Sequence, residues 1–306
     1  MSAQPITVSI TTRNRPAALD RCLRSIAHIA TLTKGVIVFD DASDPPVSDA
    51  AMEPLASRLG LPIDVVRADA PRGTAAGKNL IARRALTPFV LSLDDDAFLV
   101  DGRAVRAAVE VLAHDSKVAA IAFAQLDGAG VRCAAFAQPS AAMVASYVPA
   151  FIGFASLLNR EHLLAIGGYR EAFGIHGEER ELCLRWLDRG WRVVFLPDAG
   201  VAHDADPSQR DRAAYTRLVI RNDCLNALYN DPLPRALAAI PYKLWSYTRM
   251  NAGIGGTAAG LTWVAREIVR QVPAIYRERR PVRWATLRSW ARLRSTPQPY
   301  PFGAPR

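Results

Sequence analysis

Four short apolar runs rich in β-branched residues punctuate the first hundred residues: ITVSITT (6–12), GVIVFD (35–40), IDVVR (63–67) and FVLSL (89–93). Each is followed by a segment of helical character. Runs that stay apolar, rather than alternating with polar residues, belong to strands buried on both faces, and buried strands separated by helices form a mostly parallel sheet. After the first run Asn14 and Pro16 supply a helix start, and Leu19, Cys22, Leu23 and Ile26 fall on one helical face. The pattern predicts an α/β fold with a Rossmann-like sheet flanked by helices. In such sheets ligands bind beyond the carboxyl ends of the strands. That rule singles out Thr11 to Arg15, Asp40 to Asp44 and Asp94 to Asp96, three polar clusters that each close an apolar run.

Farther along, KVAAIAFA (117–124) reads as a strand, and the small-residue stretch up to Ala155 has no clear period. Glu178 to Asp188 reads as a helix stopped by Gly190, followed by a last strand, WRVVFL (191–196), with His203 just past it. Residues 212–229 form a further helix, which Asp231 to Pro234 break. That break divides the chain into an expected main domain, residues 1–232, and a C-terminal region, 233–306.

The two parts differ in charge. The net charge is +9, yet residues 243–306 hold 12 Lys/Arg against 2 Asp/Glu, so the remainder is close to neutral. Within the tail Leu261, Val264, Ile268, Val272 and Ile275 keep helical spacing while Arg266, Arg270 and Arg277 take other faces. Trp245, Trp263, Trp284 and Trp290 are interleaved with these arginines. A basic amphipathic helix of this kind suits an anionic membrane surface, and equally suits packing on the catalytic domain or on a second copy in a homodimer. Met250 to Ala265, the most apolar stretch, is too short and glycine-rich to span a bilayer. The start of the chain lacks the apolar core of a secretory signal. Cys22, Cys133, Cys183 and Cys224 are far apart with no CxxC pair, as reduced core thiols would be. These features predict a cytoplasmic protein, peripheral at the inner face of the membrane, without a structural zinc site or disulfides.

Three consecutive carboxylates directly after a buried strand, in VLSLDDDAF, repel one another unless a cation neutralises them. A hard divalent ion does so while remaining open to a substrate diphosphate. A solvated turn or helix cap would also use aspartates here. The pair Asp40 and Asp41, in VIVFDDAS, either accepts hydrogen bonds from a nucleotide's base or ribose or forms a strand-ending turn.

Taken in order, VSITTRNRP, VIVFDDAS, RGTAAGKNL, LSLDDDA, FIGFASLLNR, GGYREAFGIHGEERELCLRWLDRGWRV and His203 resemble the blocks of the family 2 inverting glycosyltransferases of GT-A fold. The resemblance covers roughly residues 5–230. It implies transfer of a sugar from a nucleoside-diphosphate donor to a hydroxyl acceptor, with Mg2+ or Mn2+ as cofactor and a glycan or lipid-linked glycan, as at the cell surface, as acceptor. By position in the blocks, Asp41 would contact the base, Thr11 and Arg13 would line the nucleotide pocket, and Arg72 or Lys78 would meet the base or diphosphate. The DXD motif falls on Asp94 and Asp96, with Asp96 the direct metal ligand, Asp94 or Asp95 reaching ribose or metal-bound water, and His203 adding a ligand. The family's base lies in a Glu-Asp pair followed by an apolar residue and Asp-Leu. Here the segment reads Glu178, Glu179, Arg180, Glu181, Leu182, which places Glu179 as base with one extra methylene and Arg180 where an apolar residue is usual. Glutamates in a first helical turn also simply favour the helix dipole.

Two rivals come from other classes. Arginines mixed with aromatics also suit nucleic acid, but acidic strand ends would repel its phosphates, so no nucleic-acid partner is expected. A nucleotidyltransferase would likewise join an α/β nucleotide site to a metal, but the chain has no glycine-rich phosphate loop of the expected kind.

Overall fold

The computed structural model describes residues 4–204, 211–250 and 257–302. Strands β1 (Ile6–Thr12), β2 (Thr33–Asp40), β3 (Ile63–Arg67) and β4 (Phe89–Asp94) are parallel and lie in the order β3-β2-β1-β4. Helices α1 (Pro16–Ser25), α2 (Asp49–Leu59) and α3 (Thr74–Arg84) connect them. Local chemistry sets their ends. Pro16 opens α1, the Ser48 hydroxyl accepts from the Ala51 amide to cap α2, and Gly60, in a left-handed conformation, stops it. Helix α3 lies so close to the sheet that a Cβ on Gly77 would come within 2.4 Å of the Phe39 ring and 2.8 Å of Thr11. Only glycine fits there.

Beyond β4 the sheet becomes mixed. The next elements are β5 (Ala97–Phe98), α4 (Arg103–His114), β6 (Val118–Leu126), β7 (Ser146–Val148), β8 (Ala155–Asn159), α5 (Arg160–Ala165), α6 (Glu178–Asp188) and β9 (Arg192–His203). Strand β8 runs antiparallel between β4 and β6, and β9 is parallel to β6. Two differences from the expected elements matter. The stretch without a clear period holds the three-residue β7, too short to announce itself, and β8 begins at its end, Ala155. The last strand runs on past Leu196, through a register shift against β6 at Phe123/Ala124, so His203 is its final residue rather than lying beyond it.

Both sheet faces are covered. Ile6, Val8, Ile10, Leu91 and Leu93 pack with Leu19, Leu23, Val105 and Leu112 of the helices, while Leu182 and Trp186 of α6 pack with Val193 and Phe195. The tail forms α8 (Leu233–Met250), α9 (Thr257–Glu278), α10 (Trp284–Ser295) and β10 (Gln298–Pro299), after α7 (Arg212–Asn230). Of the predicted break, Asp231 to Pro234, only residues 231 and 232 lie between α7 and α8, and Leu233 already opens α8. Val264 packs with Ile220, Cys224 and Tyr247, and Ile275 packs with Leu225, Tyr229 and Phe173, so most of the apolar stripe of α9 faces α7. Val272 alone of that stripe is strongly exposed, and Trp245 and Trp284 are also about half exposed. The chain then returns, and β10 pairs antiparallel with β7 at the edge of the main sheet. Among the described residues no helix is long and apolar enough to cross a membrane, and the 250–265 stretch contributes, from Thr257 on, to α9.

Candidate active site

Strand register brings the acidic residues together. Thr11 lies opposite Asp94 across β1 and β4, and pairing of β5 with β9 sets Ala97 against His203, with the Asp204 amide donating to the Asp96 carbonyl at 3.0 Å. One ligand atom each from Asp94, Asp96 and His203 lies within 4.8 Å of the others. His203 Nε2 is 3.2 Å from Asp96 Oδ1, and its ring stacks on Phe154 with centroids 5.1 Å apart. Its Nδ1 is buried with no hydrogen-bond partner among the described residues. Burial works to raise the Asp96 carboxyl, but His203 and Arg15 outweigh it and hold it below its ordinary range.

Asp95 points elsewhere. It is buried and accepts from Thr12 Oγ1 at 2.8 Å and from Arg15 Nη1 at 3.1 Å, and burial still pushes its carboxyl up to about 6. Arg15 Nη1 also donates to Asp96 Oδ2 at 2.8 Å. This arginine, in the RNRP segment after β1, is the cation that covers the acidic run, and its place just before Pro16 is the signal that marks it. Arg13, by contrast, is exposed, and its side chain bonds to no described residue.

Lys78, on α3, sits behind Asp94 and is almost fully buried. Its Nζ is 3.7 Å from Asp94 Oδ1 and 3.4 Å from the Gly153 carbonyl, and it lies 5.8 Å from the Tyr169 ring centroid. Burial opposes its charge, yet Asp94, Glu178 and Glu179 raise its pKa above the ordinary lysine value. Burial likewise raises Asp94 against the pull of Lys78.

The two glutamates open α6 behind Gly177, which has φ of 82°. Glu178 is 2% exposed, accepts only a long bond from Thr74 Oγ1 at 3.4 Å, and leaves Oε2 without a partner. Burial, then the charge of Glu179, pushes its carboxyl well up. Glu179 is raised by burial too, with Lys78 opposing. Its carboxylate lies against the bare backbone of Gly153, where a Cβ would come within 1.9 Å of Oε1. Glu181, the third acid of the segment, is enclosed by Arg170, Arg185 and Asn230.

The Asp40–Asp41 pair divides its labour. Asp40 is fully buried and accepts from the Ser43 and Val47 amides and from Arg67, a strand-ending turn. Asp41 accepts from the Arg72 and Gly73 amides at 2.6 and 3.0 Å and so positions the loop that opens α3. The Arg72 side chain is held by Glu171 at 3.0 Å, outside the group around Asp94. Thr11 Oγ1 is buried without a partner.

Residues 7–134 match the family model for glycosyl transferase family 2. No curated protein sequence matches the chain. Among solved structures the chain is similar to the mannosyltransferase PcManGT from Pyrobaculum calidifontis, solved with GDP-Man and Mn2+, at 18% identity and a TM-score of 0.57, covering 95% of this chain and 79% of that one. It is similar to GalNAc-T7, solved with UDP, GalNAc and Mn2+, at 14% identity and a TM-score of 0.62, covering 89% of this chain and 58% of that one. Residues 1–349 of TarS from S. aureus, solved with UDP, give 14% identity and a TM-score of 0.58, covering 95% of this chain and 90% of that one. Identities this low speak to the fold. The matched segment, residues 7–134, is a family 2 glycosyltransferase domain, and the chain that carries it is a glycosyltransferase of GT-A fold.

Proposed function

We propose that the chain moves a sugar from a nucleoside diphosphate to a hydroxyl acceptor in one metal-dependent displacement that inverts the anomeric centre. The observation that carries this reading is the grouping of charges around buried Lys78, which is raised by Asp94 of the Asp94–Asp96–His203 cluster and by Glu178 and Glu179. Two carboxylates and an imidazole suit a divalent ion such as Mg2+ or Mn2+. The fit is supported by His203, whose Nε2 lies 3.2 Å from Asp96 Oδ1 and whose Nδ1 is buried without a hydrogen-bond partner among the described residues. Asp94, Asp96 and His203 would hold the ion, which supplies charge neutralisation for the departing diphosphate. Two of the similar structures were solved with Mn2+.

In this reading Thr11, Arg13 and Asp41 border the nucleotide, Asp95 orders the strand ends through Thr12 and Arg15, and Lys78 rather than the tethered Arg72 faces the diphosphate. Glu179 takes the proton of the acceptor hydroxyl as its oxygen bonds to the anomeric carbon, and the bond from that carbon to the phosphate oxygen breaks with its electron pair leaving on the nucleoside diphosphate. Gly153 leaves room for the longer glutamate where the family uses aspartate. Residues 1–232 form the catalytic unit and 233–306 a basic helical extension. Exposed Leu237, Trp245, Val269 and Tyr276 beside its arginines suit an anionic membrane at the cytoplasmic face and a glycan or lipid-linked glycan acceptor.

The test is Glu179→Gln. General-base help is worth about 10²–10⁴ in rate, so turnover falls on that scale while donor binding, followed by thermal shift with UDP, GDP and dTDP sugars and Mn2+ or Mg2+, persists. Normal turnover by the variant refutes the assignment.

A further inference from the structure

A cavity of about 620 Å³ lies between the catalytic body and α9, away from the strand ends that hold Asp94 and Asp96. Its charged walls come from three helix ends: Arg83 in the last turn of α3, Arg189 just after α6, and Arg277 and Arg280 at the end of α9, joined by Arg170 and Arg185. The acids around it are engaged. Glu171 accepts from Arg72 and Asn79, Glu278 pairs with Arg170, and Asp188 accepts from Arg283 and Thr286.

Four of the arginines are not engaged in the same way. The side chains of Arg189 and Arg277 make no hydrogen bond or ion pair with any described residue, Arg280 donates only to the Arg277 and Arg279 carbonyls, and Arg83 comes no closer than 3.9 Å to Glu171. Helix C-termini attract cations, but each end contributes only about half a negative charge. Three such ends do not balance four guanidiniums. Nor can the arginines relieve the repulsion by losing protons, since guanidinium stays charged in proteins. An anion relieves it, and the guanidinium fork matches phosphate oxygens in a bidentate way.

We propose that this cavity is an anion site that takes a phosphate or diphosphate group, separate from the cleft assigned above to the sugar donor. The site has room for more than one phosphate. On the adjoining face of α9, Val269, Val272 and Tyr276 are exposed, so a phosphate carried on a lipid would also find an apolar surface, whereas a soluble phosphate would use the arginines alone.

The experiment titrates the full chain, in EDTA to keep divalent ions out of the donor cleft, with inorganic pyrophosphate by calorimetry and with vesicles of phosphatidic acid or of phosphatidylcholine by flotation. The comparison variant is Arg189→Ala/Arg277→Ala, which removes two side chains without a hydrogen bond or ion pair to any described residue, and Arg189→Lys/Arg277→Lys keeps the charge. Saturable binding of pyrophosphate, or of the phosphatidic acid vesicles only, is expected to weaken at least tenfold in the alanine pair and to recover in large part in the lysine pair. Vesicles that displace pyrophosphate identify a lipid headgroup as the source, and pyrophosphate binding that vesicles leave untouched identifies a soluble phosphate. If neither probe binds in a manner that depends on the two arginines, the proposal is overturned. Binding in EDTA requires no transfer reaction, so this result and that of Glu179→Gln stand apart.

Discussion

Replacing Glu181 by glutamine separates architecture from chemistry within one helical turn. The Glu181 carboxylate is fully buried and accepts from Arg170 Nε at 2.6 Å, from Arg185 Nε and Nη2 at 2.8 and 2.6 Å, and from Asn230 Nδ2 at 3.1 Å. Through these bonds it joins α6 to α7 and, by way of the Arg170–Glu278 pair, to α9. Removing one partner of a buried ion pair costs about 3–5 kcal/mol because the other charge is left uncompensated. Glutamine retains one acceptor oxygen, which places the expected loss near 3 kcal/mol and the fall in Tm at roughly 6 °C or more, at a few degrees per kcal/mol for a chain of this size. The loss depends on pH. Burial works to raise Glu181, but Arg185 and Arg170 hold its folded pKa below the ordinary value. A depressed carboxyl stabilises the fold above its unfolded pKa, about 4.3, and that contribution vanishes as pH falls through the folded pKa. Urea unfolding of wild type and Glu181→Gln at pH 7 and at pH 3.5 measures the difference at each. A gap below 1 kcal/mol at pH 7, or one that widens on acidification, refutes the reasoning.

Asp96→Asn leaves two of the three proposed ion ligands, and Mn2+ should then no longer raise the Tm, whereas the wild type gains several degrees at saturating ion; an unchanged gain would remove Asp96 from the ion site. Gly153→Ala places a methyl group where Glu179 Oε1 lies, and because only the end of a flexible side chain must move, the variant should fold with a Tm within about 2 °C of wild type while kcat falls at least tenfold with little change in donor binding. Glu178→Gln mimics a carboxyl that burial already holds well above its ordinary range, so it should keep kcat within about tenfold of wild type. A loss as deep as that of Glu179→Gln would exchange the roles of the two residues.

The parallel half of the molecule was legible because buried strands leave uninterrupted apolar runs, and because helices such as α1 and α6 announce themselves by Pro16 and Gly190. That the acidic ends of β2 and β4 lie along one edge of the sheet also followed from the sequence, since both strands run parallel to β1. What escaped depends on contacts between distant segments. Strands β7 and β8 are short and are defined by their neighbours. The stripe on α9 pointed equally to membrane, partner or catalytic body, and only the position of α7 shows that Val264 and Ile275 face inward. Arg15 stands out only by its place before Pro16, and its partners Asp95 and Asp96 lie some eighty residues away. Glu181 had the same status as its neighbours in GEERELC because spacing cannot tell which face of α6 meets Arg170.

The charge balance of the cleft explains why a cation belongs in its chemistry. Five carboxylates, Asp94, Asp95, Asp96, Glu178 and Glu179, face two permanent cations, Lys78 and Arg15. A nucleoside diphosphate would be repelled by that surplus. Burial eases part of it by favouring protons on Glu178 and, near pH 6, on Asp95. In the proposed reaction a divalent ion at the Asp94–Asp96–His203 cluster removes the remaining negative charge where a diphosphate would sit, while Glu179 accepts a proton. Lys78 thus meets two demands. It lowers the proton affinity of Glu179 against the effect of burial, and in the proposed reaction it presents positive charge toward the leaving group. Displacing it by even one helical position would strand either Asp94 or the α6 glutamates without a counter-charge in a buried site, which accounts for its near-complete burial beneath the packing that Gly77 permits.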